Sequence, residues 1–226
     1  MMGTQHALSG ALAWSCVVAI HPPATPVLVA GYAVTAAAAI WPDLDHPGST
    51  VTRSLGPLTW LMCQVVQAVS GGHRRGTHSL AGCATLGAVC AIAVQARPAI
   101  WASVVLTVLL AVMLASLAHL VPLRSWRKGW LDEFVAVGVA VGIAWWPGLD
   151  LGALAPAVFL GTLVHALGDA ITVQGIPFFW PLSRQNFRLA RLRAGGPTER
   201  WFIRPALVLA IPVVPLWDPI WASLGH

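Results

Sequence analysis

Eight apolar segments, at about 7–20, 26–42, 55–70, 79–96, 98–121, 131–147, 152–174 and 201–222, leave this chain little with which to face water. Of its 226 residues, 57% are hydrophobic and only 9% charged, where a soluble domain carries roughly 25% charge. The pattern predicts an all-α, polytopic transmembrane helical bundle forming one integral membrane domain over 1–226. A span needs roughly 20 apolar residues, or as few as about 17. Segments 98–121 and 152–174 meet that easily, 79–96, 26–42, 131–147 and 201–222 adequately, and 7–20 is short. Segment 55–70 is short and holds Gln64 and Gln67, which predicts a re-entrant or interfacial helix packed against protein. No Lys or Arg precedes the first apolar run, so it reads as retained rather than as a cleaved signal.

The basic residues test that count. With seven spans and the N-terminus in the cytoplasm, only Arg97 of the 13 Lys and Arg lies outside, as the excess of positive charge in cytoplasmic loops requires. If 55–70 crossed, Asp43 and Asp45 would face one side of the bilayer and His73 and His78 the other. The net charge of +5 belongs with anionic lipid rather than nucleic acid, because the basic residues border apolar spans. Cys16, Cys63, Cys83 and Cys90 sit inside apolar runs without ligand spacing and read as small buried hydrophobes.

Three polar islands interrupt the apolar pattern. Ionisable groups beside membrane-grade helices are costly and are functional by default. In Asp43-Leu44-Asp45-His46, two carboxylates one residue apart and an imidazole can converge on a cation; the plainer reading is a solvated turn. In His73-Arg74-Arg75-Gly76-Thr77-His78-Ser79, Thr77 is a candidate N-cap, and Arg74 and Arg75 can grip a phosphate or carboxylate. A basic loop against lipid headgroups explains those arginines equally well and the two histidines poorly. His165 and Asp169 are four apart, hence one turn apart on one helix face, spaced either for a metal or for a His–Asp tie between helices. His6 is ambiguous alone, and His119 reads as a packing residue. The topology puts all of these groups on the cytoplasmic side.

The order of these motifs, continuing through His165-Ala-Leu-Gly-Asp-Ala-Ile-Thr-Val-Gln-Gly175 and Phe178-Phe-Trp-Pro-Leu-Ser183, resembles the YdjM-type family of bacterial inner-membrane proteins, described as membrane-bound metal-dependent hydrolases. The resemblance implies that His6, Asp43, Asp45, His46, His73, His78, His165 and Asp169 form the metal site, and Glu199 matches an acidic residue after a glycine-containing turn. The doubled arginine at 74–75 and extra length around 98–147 depart from the family pattern. Asp45 and Glu199 are then the expected catalytic carboxylates, with Arg74, Arg75 and Arg184 binding an anionic substrate.

Five histidines and three aspartates exceed the three protein ligands of a catalytic zinc, which predicts two divalent ions activating water for attack. Nitrogen and oxygen ligands without thiolate suit Zn, Mn or Fe alike. The expected activity is hydrolysis of a phosphoester, on a phospholipid or other amphiphile at the cytoplasmic leaflet. The rival reading is a metal-ion transporter or a metal-binding membrane scaffold. A transporter needs polar groups near the midplane of several spans, and the outer halves of these segments carry almost none.

Overall fold

The computed structural model describes residues 2–95, 99–118, 120 and 129–216. Arg97, His119, Arg124, Arg127, Lys128 and His226 lie outside them, as does the side chain of Asp132. Among the described residues, eight α-helices follow one another: α1 (Gly3–Ile20), α2 (Thr25–Ala38), α3 (Pro57–Ser70), α4 (Leu80–Val94), α5 (Ala99–Ala118), α6 (Gly129–Ala144), α7 (Leu154–Ala170) and α8 (Arg204–Val213). Short 3₁₀ turns at Trp41–Asp45 and Gly76–His78 lie between them. Two isolated bridges, Thr172 with Leu192 and Ile176 with Phe187, are the only β-pairing among the described residues. The all-helical class holds.

Local chemistry sets the ends. Pro26 and Pro57 stand in the first turns of α2 and α3, where their missing N–H costs nothing. α3 stops at Gly71, whose φ of 81° is left-handed. The N-cap of α4 is Ser79, whose Oγ accepts from the Gly82 N–H at 3.1 Å. It is not Thr77, which lies inside the preceding 3₁₀ turn. Ile211 O has no helical donor because residue 215 is a proline; the Ser15 hydroxyl donates to it instead at 2.9 Å, tying α8 to α1.

The long helix α7 is the hub and packs against α1, α2 and α4. Its approach to α2 is close enough to need glycine. A Cβ on Gly161 would lie 2.4 Å from Thr35 O and 2.8 Å from Ala38 Cβ, and one on Gly10 of α1 would lie 2.6 Å from the same carbonyl. Small residues at contacts of this kind are how helices associate where lipid removes the hydrophobic drive between them. α5 and α6 form a second pair, joined to the first group through α2 and α4.

Among the described residues, two helical stretches are long and apolar enough to cross a membrane: Thr25–Asp45, 21 residues at mean hydropathy 1.5, and Leu151–Ala170, 20 residues at 1.7. Leu80–Val94 is apolar but shorter, and the fully described parts of α5 and α6, Thr107–Ala118 and Glu133–Ala144, are apolar too. Over the expected span at 201–222 the described residues stay helical but change type: a π-helical turn, the ten-residue α8 with Pro212 inside it, and a 3₁₀ turn follow one another without a break through 199–216. The first segment is longer than its apolar run, since α1 starts at Gly3. Segment 55–70 forms α3, which rests on the two 3₁₀ turns and leaves Leu58, Leu61, Val65 and Val69 exposed along one stripe.

Candidate metal centre

The C-terminal ends of α2 and α7 and the N-terminal end of α1 come together, and the three polar islands meet there. α2 unwinds after Ala38 into a 3₁₀ turn over Trp41–Asp45, and Pro42, three residues on, has no N–H to offer the Ala39 carbonyl, which is left free. His165 Nδ1 donates to that oxygen at 2.7 Å. The bond fixes the tautomer and leaves His165 Nε2 as a lone pair directed inward. His6 stacks on His165, with ring centroids 3.8 Å apart and planes at 20°.

His78 comes from the 3₁₀ turn ahead of α4 and brings its Nε2 to 3.0 Å from His165 Nε2. Around the two nitrogens stand Asp43 Oδ1, at 3.6 Å from His78 Nε2 and 3.7 Å from His165 Nε2, and Asp169 Oδ2, at 3.6 and 4.0 Å. His6 Nε2 is 3.2 Å from Asp169 Oδ1. Two overlapping triads result, His6–His165–Asp169 and Asp43–His78–His165, and His165 belongs to both.

This donor set fits a divalent metal. Two ligands on one ion at bond lengths of about 2.1 Å sit roughly 3.0–3.4 Å apart, close to the spacing of the two Nε2 atoms. His6 Nδ1 is buried without a hydrogen bond, and its Nε2 meets only Asp169 Oδ1, at 3.2 Å; buried polar atoms avoid such a state unless something else satisfies them. Asp43, at 27% side-chain exposure, is the ligand candidate open to solvent, through a small cavity of about 220 Å³ between the start of α1 and residues 48–51.

Asp45 faces a different way. Its Oδ1 takes His73 Nδ1 at 2.7 Å. Its Oδ2 accepts from the Arg74 amide at 3.0 Å and from the Thr77 hydroxyl, and lies 3.3 Å from His78 Nδ1. Asp45 therefore backs His78 on the side away from the cluster, as carboxylates back metal-binding imidazoles. Burial alone pushes the His78 pKa down, but hydrogen bonds to Asp43 and Asp45 outweigh it and raise the value to about 9.

Arg74 adopts a left-handed φ of 56°, unusual for a side chain of this size. The conformation turns its amide to Asp45 while its guanidinium pairs with Asp169 Oδ2 at 2.8 Å and donates to Gln174 Oε1 at 2.8 Å. Arg74 thus links the buried cluster to an open cleft of about 680 Å³ lined by His46, His73, Arg74, Arg75, Gln174, Trp180 and Arg184, among others. His46 sits on the cleft wall rather than in the cluster. Its Nδ1 accepts from the Gly48 N–H at 3.0 Å, so its Nε2 carries the proton and is a donor.

Glu199 stands apart from both. Its two oxygens accept from the Met2 N–H at 2.7 Å and the Gly195 N–H at 2.6 Å, which anchors the start of α1, four residues ahead of His6. The Ala39 carbonyl carries no sequence signal; Thr77 and Gln174 fall within the 73–79 and 165–175 motifs, but nothing local says that Thr77 meets Asp45 and Gln174 meets Arg74. Cys63, Cys83 and Cys90 are buried free thiols, and Cys16 is exposed.

A family model described as YdjM inner membrane protein matches residues 1–222. No curated protein and no solved structure matches the chain.

Proposed function

Since the chain belongs to the YdjM inner membrane protein family, we propose that it is a membrane-embedded, metal-dependent hydrolase acting on a phosphoester of an amphiphile at the cytoplasmic leaflet. The observation that carries this reading is the convergence of His6, Asp43, His78, His165 and Asp169, from four separate elements, beside a cleft lined with arginine. A structural tie between helices needs one His–Asp pair. It has no use for three imidazoles and two carboxylates whose ligand atoms face one another.

His6, Asp43, His78, His165 and Asp169 would hold the metal; His165 Nε2 has one lone pair and serves one ion, so a second ion would rest on the ligands His165 leaves free, with a carboxylate bridging the two. A bound divalent ion would supply Lewis-acid polarisation of a phosphoryl oxygen and lower the pKa of water. The protein's own groups do the rest. The Ala39 carbonyl and Asp45 hold His165 and His78 with their Nε2 atoms inward, so that little reorganisation is needed on binding. Arg75, Arg184 and the His46 Nε2–H offer positive charge and donors to an anion in the cleft. Arg74 fixes the distance between that anion and Asp169. Seven crossings with the N-terminus inside are the topology that best suits the distribution of Lys and Arg, and they put the cleft at the cytoplasmic leaflet.

Metal analysis of the purified protein, followed by phosphate release from a panel of lipid phosphates, tests the reading. Bound Zn, Mn or Fe, and an activity lost on chelation and in His165→Ala and Asp43→Ala, are the expected results. A protein that binds no divalent metal, or an activity indifferent to chelator, would sink it.

A further inference from the structure

The segment between α7 and the π-helical turn is unlike an ordinary water-facing loop. From 173 to 198 it carries Arg184, Arg188, Arg191 and Arg193 and not one Asp or Glu. Interleaved with the arginines are large apolar side chains left in the open: Leu182 is 94% exposed, and Phe179, Phe187 and Leu189 are exposed as well. The loop is nonetheless built. Thr172 bridges to Leu192 and Ile176 to Phe187, the Leu189 N–H donates to Ala170 O at 2.8 Å, and Phe178, Phe179 and Phe187 pack as a trio with centroids 5.3–6.1 Å apart. A fixed scaffold that exposes aromatic and aliphatic groups beside unopposed positive charge has the chemistry of an interfacial membrane anchor.

We infer that the loop over 173–193 docks onto an anionic lipid surface, its apolar side chains entering the headgroup boundary and its arginines meeting lipid phosphates. The partner is set by charge: with no carboxylate in the segment to answer four guanidinium groups, the complement must come from outside, and the leaflet that holds the helices is the nearest anionic surface. The same loop gives Gln174, Trp180, Arg184 and Asn186 to the wall of the cleft. Docked, it opens the cleft at headgroup depth, so the molecule that enters is the head of an amphiphile. The inference does not depend on catalysis, since a lipid-binding loop would dock whether or not the cluster holds metal.

The test places an environment-sensitive fluorophore at Leu182→Cys in a Cys16→Ser background, because Cys16 is the exposed thiol. The protein is reconstituted in vesicles of phosphatidylcholine alone, or of phosphatidylcholine and phosphatidylglycerol in equal parts. Quenching by acrylamide, which is uncharged, reports burial of the label. Phosphatidylglycerol is expected to lower quenching about five-fold or more, and high salt to restore it, since such attraction is screened within a Debye length. Arg191→Gln with Arg193→Gln should blunt the effect; the salt arm stands without those substitutions should they disturb folding. Equal quenching in the two kinds of vesicle, whether high or low, overturns the proposal, as does a difference that salt leaves untouched. Either result leaves the metal-centre reading standing, because that rests on metal content and chelation.

Discussion

Replacing Gly161 with alanine is the sharpest test of how the fold holds the site. The added Cβ would meet Thr35 O at 2.4 Å, Ala38 Cβ at 2.8 Å and Ala39 N at 3.0 Å, where real Cβ contacts essentially never fall below 3.0 Å. Two of the three contacts are backbone atoms, in α2 and at its C-cap Ala39, so no side-chain rotation relieves them. Opening the closest from 2.4 to at least 3.0 Å pushes α7 off α2 by at least 0.6 Å. One turn along, the same shift stretches the His165 Nδ1 to Ala39 O bond of 2.7 Å to about 3.3 Å, beyond the usual N–H···O range of roughly 2.7–3.2 Å. Overpacking of this kind costs about 1–3 kcal/mol, and losing the partner that orients a liganding imidazole lowers metal affinity about ten- to hundred-fold. Gly138 on α6 is the matched control, since a Cβ there meets nothing within 4 Å. Gly138→Ala should be neutral or stabilising by up to about 1 kcal/mol, with metal affinity unchanged. Thermal unfolding in detergent and titration of Zn against a competing chelator read both quantities. Should Gly161→Ala match Gly138→Ala in both, the account of α7 packing and of His165 orientation is wrong.

Other outcomes follow from the same geometry. Asp45→Asn removes the charge behind His78 and should weaken metal binding about ten-fold or more without removing a ligand, whereas Asp169→Asn should lower the bound-metal stoichiometry in elemental analysis. His78 has a pKa of about 9 against 6.5 for the free side chain. In the metal-free protein its stabilising contribution is therefore complete below pH 6.5 and lost as pH rises through about 9, a decline that melts of chelated protein would follow. Metal needs the deprotonated nitrogen, so apparent affinity of the ion held by His78 should climb about ten-fold per pH unit up to about pH 9, with one proton released at His78 when that ion binds, measurable by calorimetry in buffers of different ionisation enthalpy. Arg75→Gln and Arg184→Gln should raise KM for a phosphate-bearing substrate and leave metal content unchanged; a fall in metal content instead would assign them to the cluster.

How much of this was legible in the residues depended on whether they lie in regular structure. His165 and Asp169 could be placed on one face from spacing alone, because a helix has one repeat and α7 keeps it. The helical class followed from apolar runs too long and too poor in charge to be anything else. Asp43 and Asp45 are the contrary case. Their spacing cannot say which way each points in a 3₁₀ turn, and the turn sends Asp43 to the cluster and Asp45 to His73, Thr77 and the back of His78. His46 and His73 likewise lie on the cleft wall, where Gly48 and Asp45 engage their Nδ1 atoms. Glu199 was legible as an acid after a glycine-containing turn and so as an expected catalytic carboxylate, but its engagement with the Met2 and Gly195 amides depends on long-range packing that no local pattern encodes. The number of crossings is equally a tertiary matter, since helices such as α4 are apolar yet shorter than a bilayer's hydrophobic thickness.

The sharing of His165 between the two triads has a consequence for biogenesis. His6 emerges from the ribosome first and Asp169 more than a hundred and sixty positions later. Neither triad exists until α7 has formed and packed against α1 and α2. A nascent or truncated protein ending before that helix would have no complete centre to load, so cation capture would mark the close of assembly, and metal starvation would act on finished, inserted molecules.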